Sequence, residues 1–254
     1  MNWVATFTFL SKEVLRWRKV WMQTVLAPVV TALMYLLVFG HVLEGRVEVF
    51  PGVSYTAFLI PGLLMMSVIQ NAFANTSSSL IQSKVMGSIV FILLPPFSAL
   101  EMFLAYIGAA VLRGLAVGVG VFLLAIFYVE VPVENFLVII TFAILGSYVM
   151  AALGLIAGMW AEKFDQIAAF QSFLIVPLTF LSGVFYSIKS LPPFWYQLSK
   201  ANPFFYMIDG FRYGFFGQSD QPVLLSLAVM TIATAVLTVV CVLMLKSGYK
   251  LRDA

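Results

Sequence analysis

The chain has 254 residues, of which 62% are hydrophobic and only 10% charged, and its mean hydropathy is +1.03. A soluble globular domain cannot solvate that much apolar surface, so the composition reads as a polytopic membrane protein. The net charge of +3 is spread along the chain without a dense basic run, which argues against a nucleic-acid partner.

Residues 1–20 lack the basic start, apolar middle and small-residue cleavage site of a secretory leader, so this segment is expected to be retained. Trp3, Phe7, Leu10, Val14, Trp17 and Trp21 fall along one helical stripe, and Lys12, Arg16 and Lys19 along another. The pattern predicts an interfacial amphipathic helix over 1–21 whose cations meet anionic lipid headgroups; the bland alternative is the basic flank of the first span.

Crossing about 30 Å of hydrocarbon takes about 20 apolar residues in a helix. Six stretches meet that length, near 24–43, 56–75, 101–128, 136–159, 168–187 and 221–245. The fold class expected is therefore all-α, a single membrane domain over 1–254 with six transmembrane helices. Lys and Arg concentrate in cytoplasmic connections. Placing both termini inside puts Lys12, Arg16, Arg18, Lys19, Lys84, Lys163, Lys246, Lys250 and Arg252 inside, against Arg46, Lys189, Lys200 and Arg212 outside. Glu48 and Glu134 then lie outside. His41 is the sole histidine and "HVLE" a weak metal motif, lone Cys241 excludes an intrachain disulfide, and neither GxxxxGK[ST] nor GxSxG occurs.

Within the second and third spans, Asn71 and Asn75 share a helix face and can reach Arg113, an intramembrane cation that needs a partner or water. Glu101 is 12 residues away from it, about 18 Å along a helix, and cannot pair with it directly. The three polar residues read either as interhelical glue or as lining of a translocation pathway. Gly114/Gly118 and Gly154/Gly158 allow close helix approach, better explained by packing within the chain than by a dimer seam. Pro28, Pro61 and Pro177 predict kinks, and Pro177 with Gly183 leads into an unusual connection.

Between the second and third spans, residues 76–97 include "TSSSLIQSKVMGSIVFILLPP", where the serines predict a helix start and Pro95–Pro96 its end. The apolar run Ile89–Leu94 is too short to span a bilayer and must bury against protein. After the fifth span, residues 188–220 form a connection too long and too aromatic to be simply wet. Pro192, Pro193 and Pro203 punctuate it into two short helices joined near Ala201–Pro203. It reads either as a re-entrant segment capping a pathway, with Tyr206 and Arg212 facing protein or water, or as an interfacial aromatic anchor. Arg212 is expected to anchor structure, with Asp209 or Asp220 as its candidate partners.

The stretch "LSGVFYSIKSLPPFWYQLSKANPFFYMIDGFR", 181–212, resembles the signature of type 2 ATP-binding-cassette transporter permeases, through Ser182, Leu191–Pro192, Pro203 with Tyr206, and Arg212. The likeness extends over essentially the whole chain, "FLIPGLLMMSVIQNAFANTSSSL" at 58–80 included, and is strongest to the bacterial YadH-like subgroup of inner-membrane permeases. The resemblance implies a transport subunit that is not itself an enzyme and binds no cofactor. Two copies, as a homodimer, would work with two separate ATPase subunits that bind ATP and Mg, forming an exporter in the bacterial inner membrane. The segment between the second and third spans is expected to dock on the ATPase through Ser79, Gln82, Lys84, Gly87 and Ser88, supported by the N-terminal helix, the alternative being that it packs beneath its own helices; the outer gate is expected at Pro192, Pro203, Tyr206 and Arg212. Family members often carry one or two glutamates after the second span, where this chain has Val90 and Phe91. The alternative class is an ATP-independent channel or secondary transporter, which would favour inverted repeats and midplane carboxylates. The substrate is not legible.

Overall fold

The computed structural model describes residues 3–43, 45, 49–94 and 98–251. Glu44, Arg46, Glu48, Pro95, Pro96 and Arg252, on which parts of the orientation and helix-end readings rest, lie outside the described residues. The helices are α1 Trp3–Arg18, α2 Met22–Leu43, α3 Tyr55–Val85, α4 Ile89–Leu93, α5 Ala99–Ala125, α6 Phe136–Trp160, α7 Phe164–Phe180, α8 Pro193–Ala201, α9 Pro203–Phe216 and α10 Val223–Ser247. Among the described residues there is no β-strand, only an isolated bridge between Phe50 and Val53. Five helices, α2, α3, α5, α6 and α10, are long and apolar enough to cross a membrane.

The fifth expected span, 168–187, is helical only to Phe180. From Phe164 to Phe180 a helix rises about 25 Å, short of the roughly 30 Å hydrocarbon core. It stops because the chain turns at Leu181–Gly183, where Gly183 takes a φ of +76° that only glycine adopts freely and the Ser182 hydroxyl bonds back to the Thr179 carbonyl. The proline expectations resolve differently at each site. Pro28 and Pro177 each follow a five-residue π-helical stretch, Met22–Leu26 and Gln171–Ile175, whose wider turns absorb the proline's missing N–H and ring clash. Pro61 sits within uninterrupted α-helix.

The core is built around α3, whose 31 residues extend about 46 Å, well beyond one bilayer. It starts at Ser54, whose hydroxyl accepts from the Ala57 amide, and packs chiefly on α6 and α5. Small residues permit that contact, as the glycine spacing predicted for packing within the chain. A Cβ on Gly154 would lie 2.4 Å from the Phe73 carbonyl oxygen, and one on Gly118 2.7 Å from a Val68 methyl. Next to Gly154, the Thr76 hydroxyl donates to the Ala151 carbonyl at 2.7 Å. Gly154→Val is expected to lower stability by about 1–3 kcal/mol or more, because the obstacle is backbone that cannot yield. The check is the thermal unfolding midpoint in detergent, where an unchanged value would refute the packing role. α5 opens with a capping box in which Ser98 and Glu101 exchange hydrogen bonds of 2.8 and 3.2 Å, so Glu101 serves its own helix start.

Contacts between elements define two ends. At one, Lys84 Nζ reaches the last carbonyls of α6, Glu162 pairs with Lys250 at 2.6 Å, and Ser79 bonds Glu13 of α1. The hydrogen-bonded Lys250 ammonium holds Glu162 below the usual carboxylate range. At the other end, the Tyr55 hydroxyl donates to the Phe185 carbonyl at 2.9 Å, and the Asn135 amide to the Gly214 carbonyl at 2.8 Å. Glu134, whose amide donates to the Phe215 carbonyl at 3.3 Å, belongs to this second end. α2 and α10 lie at the periphery with apolar side chains such as Met34, Val38, Ile232 and Val239 facing outward.

Candidate coupling tip, polar seam and outer helices

The segment expected to begin a separate helix at its serines does not do so. Residues 76–85 continue α3 without a break, because Ser77 and Ser83 turn their hydroxyls back onto the carbonyls four residues earlier, at 2.8 and 2.9 Å. The separate helix is α4, five residues long, after a turn in which Gly87 takes a φ of +66°. Of the residues assigned to an ATPase contact, Ser79 and Lys84 are buried in the chain's own interactions, Gln82 and Ser88 are half-buried, and Gly87 is exposed. α4 buries Ile89 and Ile92 and leaves Phe91 74% exposed, with Val85, Met86, Val90 and Leu94 also outward. The apolar run thus meets its own helices with one side only.

Lys84 has a defined structural task. Its ammonium donates to the carbonyls of Met159 at 2.9 Å and Ala161 at 2.5 Å, where the end of α6 leaves acceptors unpaired and the helix dipole favours a cation. Lys84→Met is expected to cost about 1–3 kcal/mol by leaving buried acceptors unmet, whereas Lys163→Met, at an exposed side chain, should be neutral. Unfolding midpoints of the two variants check this, and equal values would refute the brace.

The polar seam is richer than the three residues read from the sequence. Arg113 Nη2 donates to Asn71 Oδ1 at 3.2 Å, joining α5 to α3. Asn75 belongs to a different group, because Arg16 Nη2 reaches both its carbonyl, at 2.8 Å, and its Oδ1, at 3.1 Å. The organiser of that group is Glu13, which is fully buried and accepts from Lys12 Nζ at 2.9 Å, Arg16 Nε at 3.1 Å and the Ser79 hydroxyl at 2.7 Å. Sequence reasoning missed Glu13. The available signal was Glu13–Arg16 at i,i+3 on a helix whose buried face, Thr6, Phe9, Glu13 and Trp17, shares only Trp17 with the apolar stripe. That face packs on α5, with the Phe9 ring edge-on to Tyr106 at 4.9 Å, while Trp3, Phe7 and Trp21 point away from the protein.

At the opposite end, α8 and α9 meet at Asn202, as the proline spacing predicted. Pro192 precedes α8, Pro203 opens α9, and Asn202 Oδ1 accepts from the Phe204 amide while its Nδ2 donates to the Leu178 carbonyl at 2.7 Å. The buried Tyr206 side chain donates its hydroxyl to the Lys200 carbonyl at 2.8 Å, closing α8 onto α9. Arg212 is almost completely buried. It makes no ion pair among the described residues; instead Nη2 donates to the Gly183 carbonyl at 2.8 Å, and the guanidinium stacks 3.9 Å from the Phe58 ring centroid. The carboxylates proposed as its partners hold backbone. Asp209 accepts from the Asp220 and Gln221 amides at 2.7 and 3.0 Å, and Asp220 from the Ser187 hydroxyl and the Ile188 amide at 2.5 and 3.0 Å. Gly62 lets the turn sit against α3, since a Cβ there would be 2.6 Å from the Val184 carbonyl oxygen.

This set of contacts positions helix ends and loops. The sequence profile of the ABC-2 type transporter family matches residues 4–216. The chain is 38% identical to the inner membrane transport permease YadH of Escherichia coli K12 over 253 residues, covering 100% of this chain and 99% of that protein. It is also 24% identical to nodulation protein J of Rhizobium leguminosarum bv. viciae over 237 residues, 91% of this chain and 89% of that one. The apolar helices that hold the seam and both ends lie almost wholly within the matched region, and on these grounds the chain belongs to the ABC-2 type transporter family, as a multi-pass membrane permease of the inner-membrane kind.

Proposed function

We propose that this chain is the membrane-spanning subunit of an ABC exporter, forming the path for substrate while ATP and Mg are bound and hydrolysed in a separate ATPase subunit. The observation that carries the reading is the exposed tip at Val85–Leu94, an apolar surface around Gly87 that no element covers among the described residues. Such a surface at a helix end needs a protein groove. Gln82, Gly87 and Ser88 sit at or beside it, while Ser79 and Lys84 hold it in place from behind, so force on the tip passes into α3 and α6. Val90 and Phe91 make the contact apolar.

Both termini and the tip are assigned to the cytoplasm, and six crossings follow if residues 164–187 carry the chain across as α7 plus its turn. The outer helices α8 and α9 then act as a re-entrant gate, and two copies, apposed through peripheral helices, complete the pathway with two ATPase subunits. Export is the direction the family resemblance implies.

Cysteines at 87 and 91, in a chain whose Cys241 is replaced by alanine, are expected to crosslink to a co-expressed ATPase subunit, and cysteine at 163 is not. Impermeant maleimide should label positions 134 and 218 in intact cells and position 87 only after lysis. An assembled, ATP-hydrolysing complex that gives no crosslink from 87 or 91 would overturn the docking reading, and the reverse labelling pattern would overturn the orientation.

A further inference from the structure

Where α1 crosses α3 and α5 the protein holds a cavity of about 600 Å³ lined by four cations, Lys12, Arg16, Lys19 and Arg113. One carboxylate serves two of them. Glu13 pairs with Lys12 and Arg16, is further engaged by Ser79, and reaches neither Lys19 nor Arg113 within ion-pair distance. Arg113 makes no ion pair among the described residues, its single side-chain hydrogen bond goes to the neutral Asn71, and its buried Nε has no partner. A second guanidinium, Arg16, lines the same cavity.

A guanidinium placed within a membrane span beside another cation is unfavourable unless an anion joins it. The geometry points to one. Arginine forks match phosphate oxygens, and basic pockets between membrane helices on the cytoplasmic side suit lipid headgroups. The cavity wall also includes Leu15 and Val20, each about half exposed and suited to acyl chain.

We propose that this cavity binds a phosphate-bearing anion at Arg113, Arg16, Lys12 and Lys19, carried by an anionic lipid whose chains run out over Leu15 and Val20. The bound anion supplies the counter-charge that the fold omits and ties α1 to the third span. This does not depend on the transport reading, and its test needs no ATPase.

Native mass spectrometry of the full-length chain, delipidated and exposed to phosphatidylglycerol or phosphatidylcholine, is the experiment. Phosphatidylglycerol is expected to be retained about tenfold more than phosphatidylcholine, the size that one to two charge-assisted hydrogen bonds supply. Arg113→Gln should bring the two lipids level. Because that variant alters a span, Lys19→Gln provides a second reading at an exposed side chain outside the Glu13 group. It should lose part of the preference with an unfolding midpoint in lipid-free detergent equal to that of the unaltered chain. Equal retention of both lipids by the unaltered chain would overturn the lipid as occupant, and an undiminished preference in both variants would overturn the site. A parallel titration with inorganic phosphate separates the sources. Stabilisation by phosphate that Arg113→Gln abolishes, without lipid retention, keeps the phosphate site but assigns it to a free anion, and no response to either ligand overturns it.

Discussion

Arg212→Met is expected to be the most damaging single substitution outside the packing core, lowering stability by about 3–5 kcal/mol, the usual result of removing one member of a buried charged group. The side chain is long enough to be replaced by methionine without a large cavity, so the loss is electrostatic and hydrogen-bonded rather than steric. The Gly183 carbonyl loses its donor, Phe58 loses its stacked cation, and the carboxylates of Asp209 and Asp220 lose the cation that attracts them from within the same buried site. Asp209→Asn should be milder, because the amide oxygen still accepts from one of the two backbone amides that Asp209 holds. Arg212→Met combined with Asp209→Asn should recover part of the loss, since a buried negative charge disappears with the positive one. The measurement is the unfolding midpoint of each variant by fluorescence-detected size exclusion. If Arg212→Met unfolds with the unaltered chain, the guanidinium is not the pin between the turn at Gly183, α3 and α9.

That pin illustrates what a sequence displays and what it hides. The long apolar runs are visible because spanning hydrocarbon is a requirement on each segment separately; four of them form helices close to the expected bounds, and the second, expected at 56–75, runs on to Val85. The joint at Asn202 is visible because proline acts locally. The fifth segment misleads because its apolar composition continues past Phe180 while the backbone turns at Gly183, a choice made by contact with Gly62 and Arg212, which are distant in sequence. Thr76 and the serines at 77–79 mislead for a related reason. Ser and Thr favour helix starts in water, but inside a buried helix the same hydroxyls satisfy themselves on the preceding turn, and nothing local distinguishes the two cases. The pairing of Arg113 with Asn71 was readable because antiparallel neighbouring spans bring equal depths together. Asn75 with Arg16 was not, because the angle at which α1 crosses the bundle is set by Phe9 on Tyr106 and Leu10 over Gly108.

Glu13→Leu is expected to release α1 from the bundle. Glu13 is the one buried carboxylate on that helix and gathers Lys12, Arg16 and Ser79, so an apolar replacement leaves Arg16 with only the Asn75 and Ser78 contacts and leaves the cationic cavity without its internal anion. The cost is set by the cations left behind, about 3–5 kcal/mol by the same reasoning as for Arg212, and it falls on one interface instead of the whole fold. Limited trypsin digestion separates those outcomes. Cleavage after Arg16, Arg18 or Lys19 should accelerate in Glu13→Leu while the spans stay protected, whereas a global loss would expose Lys84 and Arg113 together. Glu13→Gln keeps an acceptor for Ser79 and removes only the charge, so α1 should stay attached more firmly than in the leucine variant. It also leaves the four cations unopposed, and its retention of phosphatidylglycerol should therefore rise above that of the unaltered chain even as its lipid-free stability falls. Those two opposite signs come from a single carboxylate that both fastens α1 and competes with an incoming anion for Arg16 and Lys12. A Glu13→Gln chain that loses stability and lipid retention together would mean that Glu13 shapes the cavity rather than competing within it.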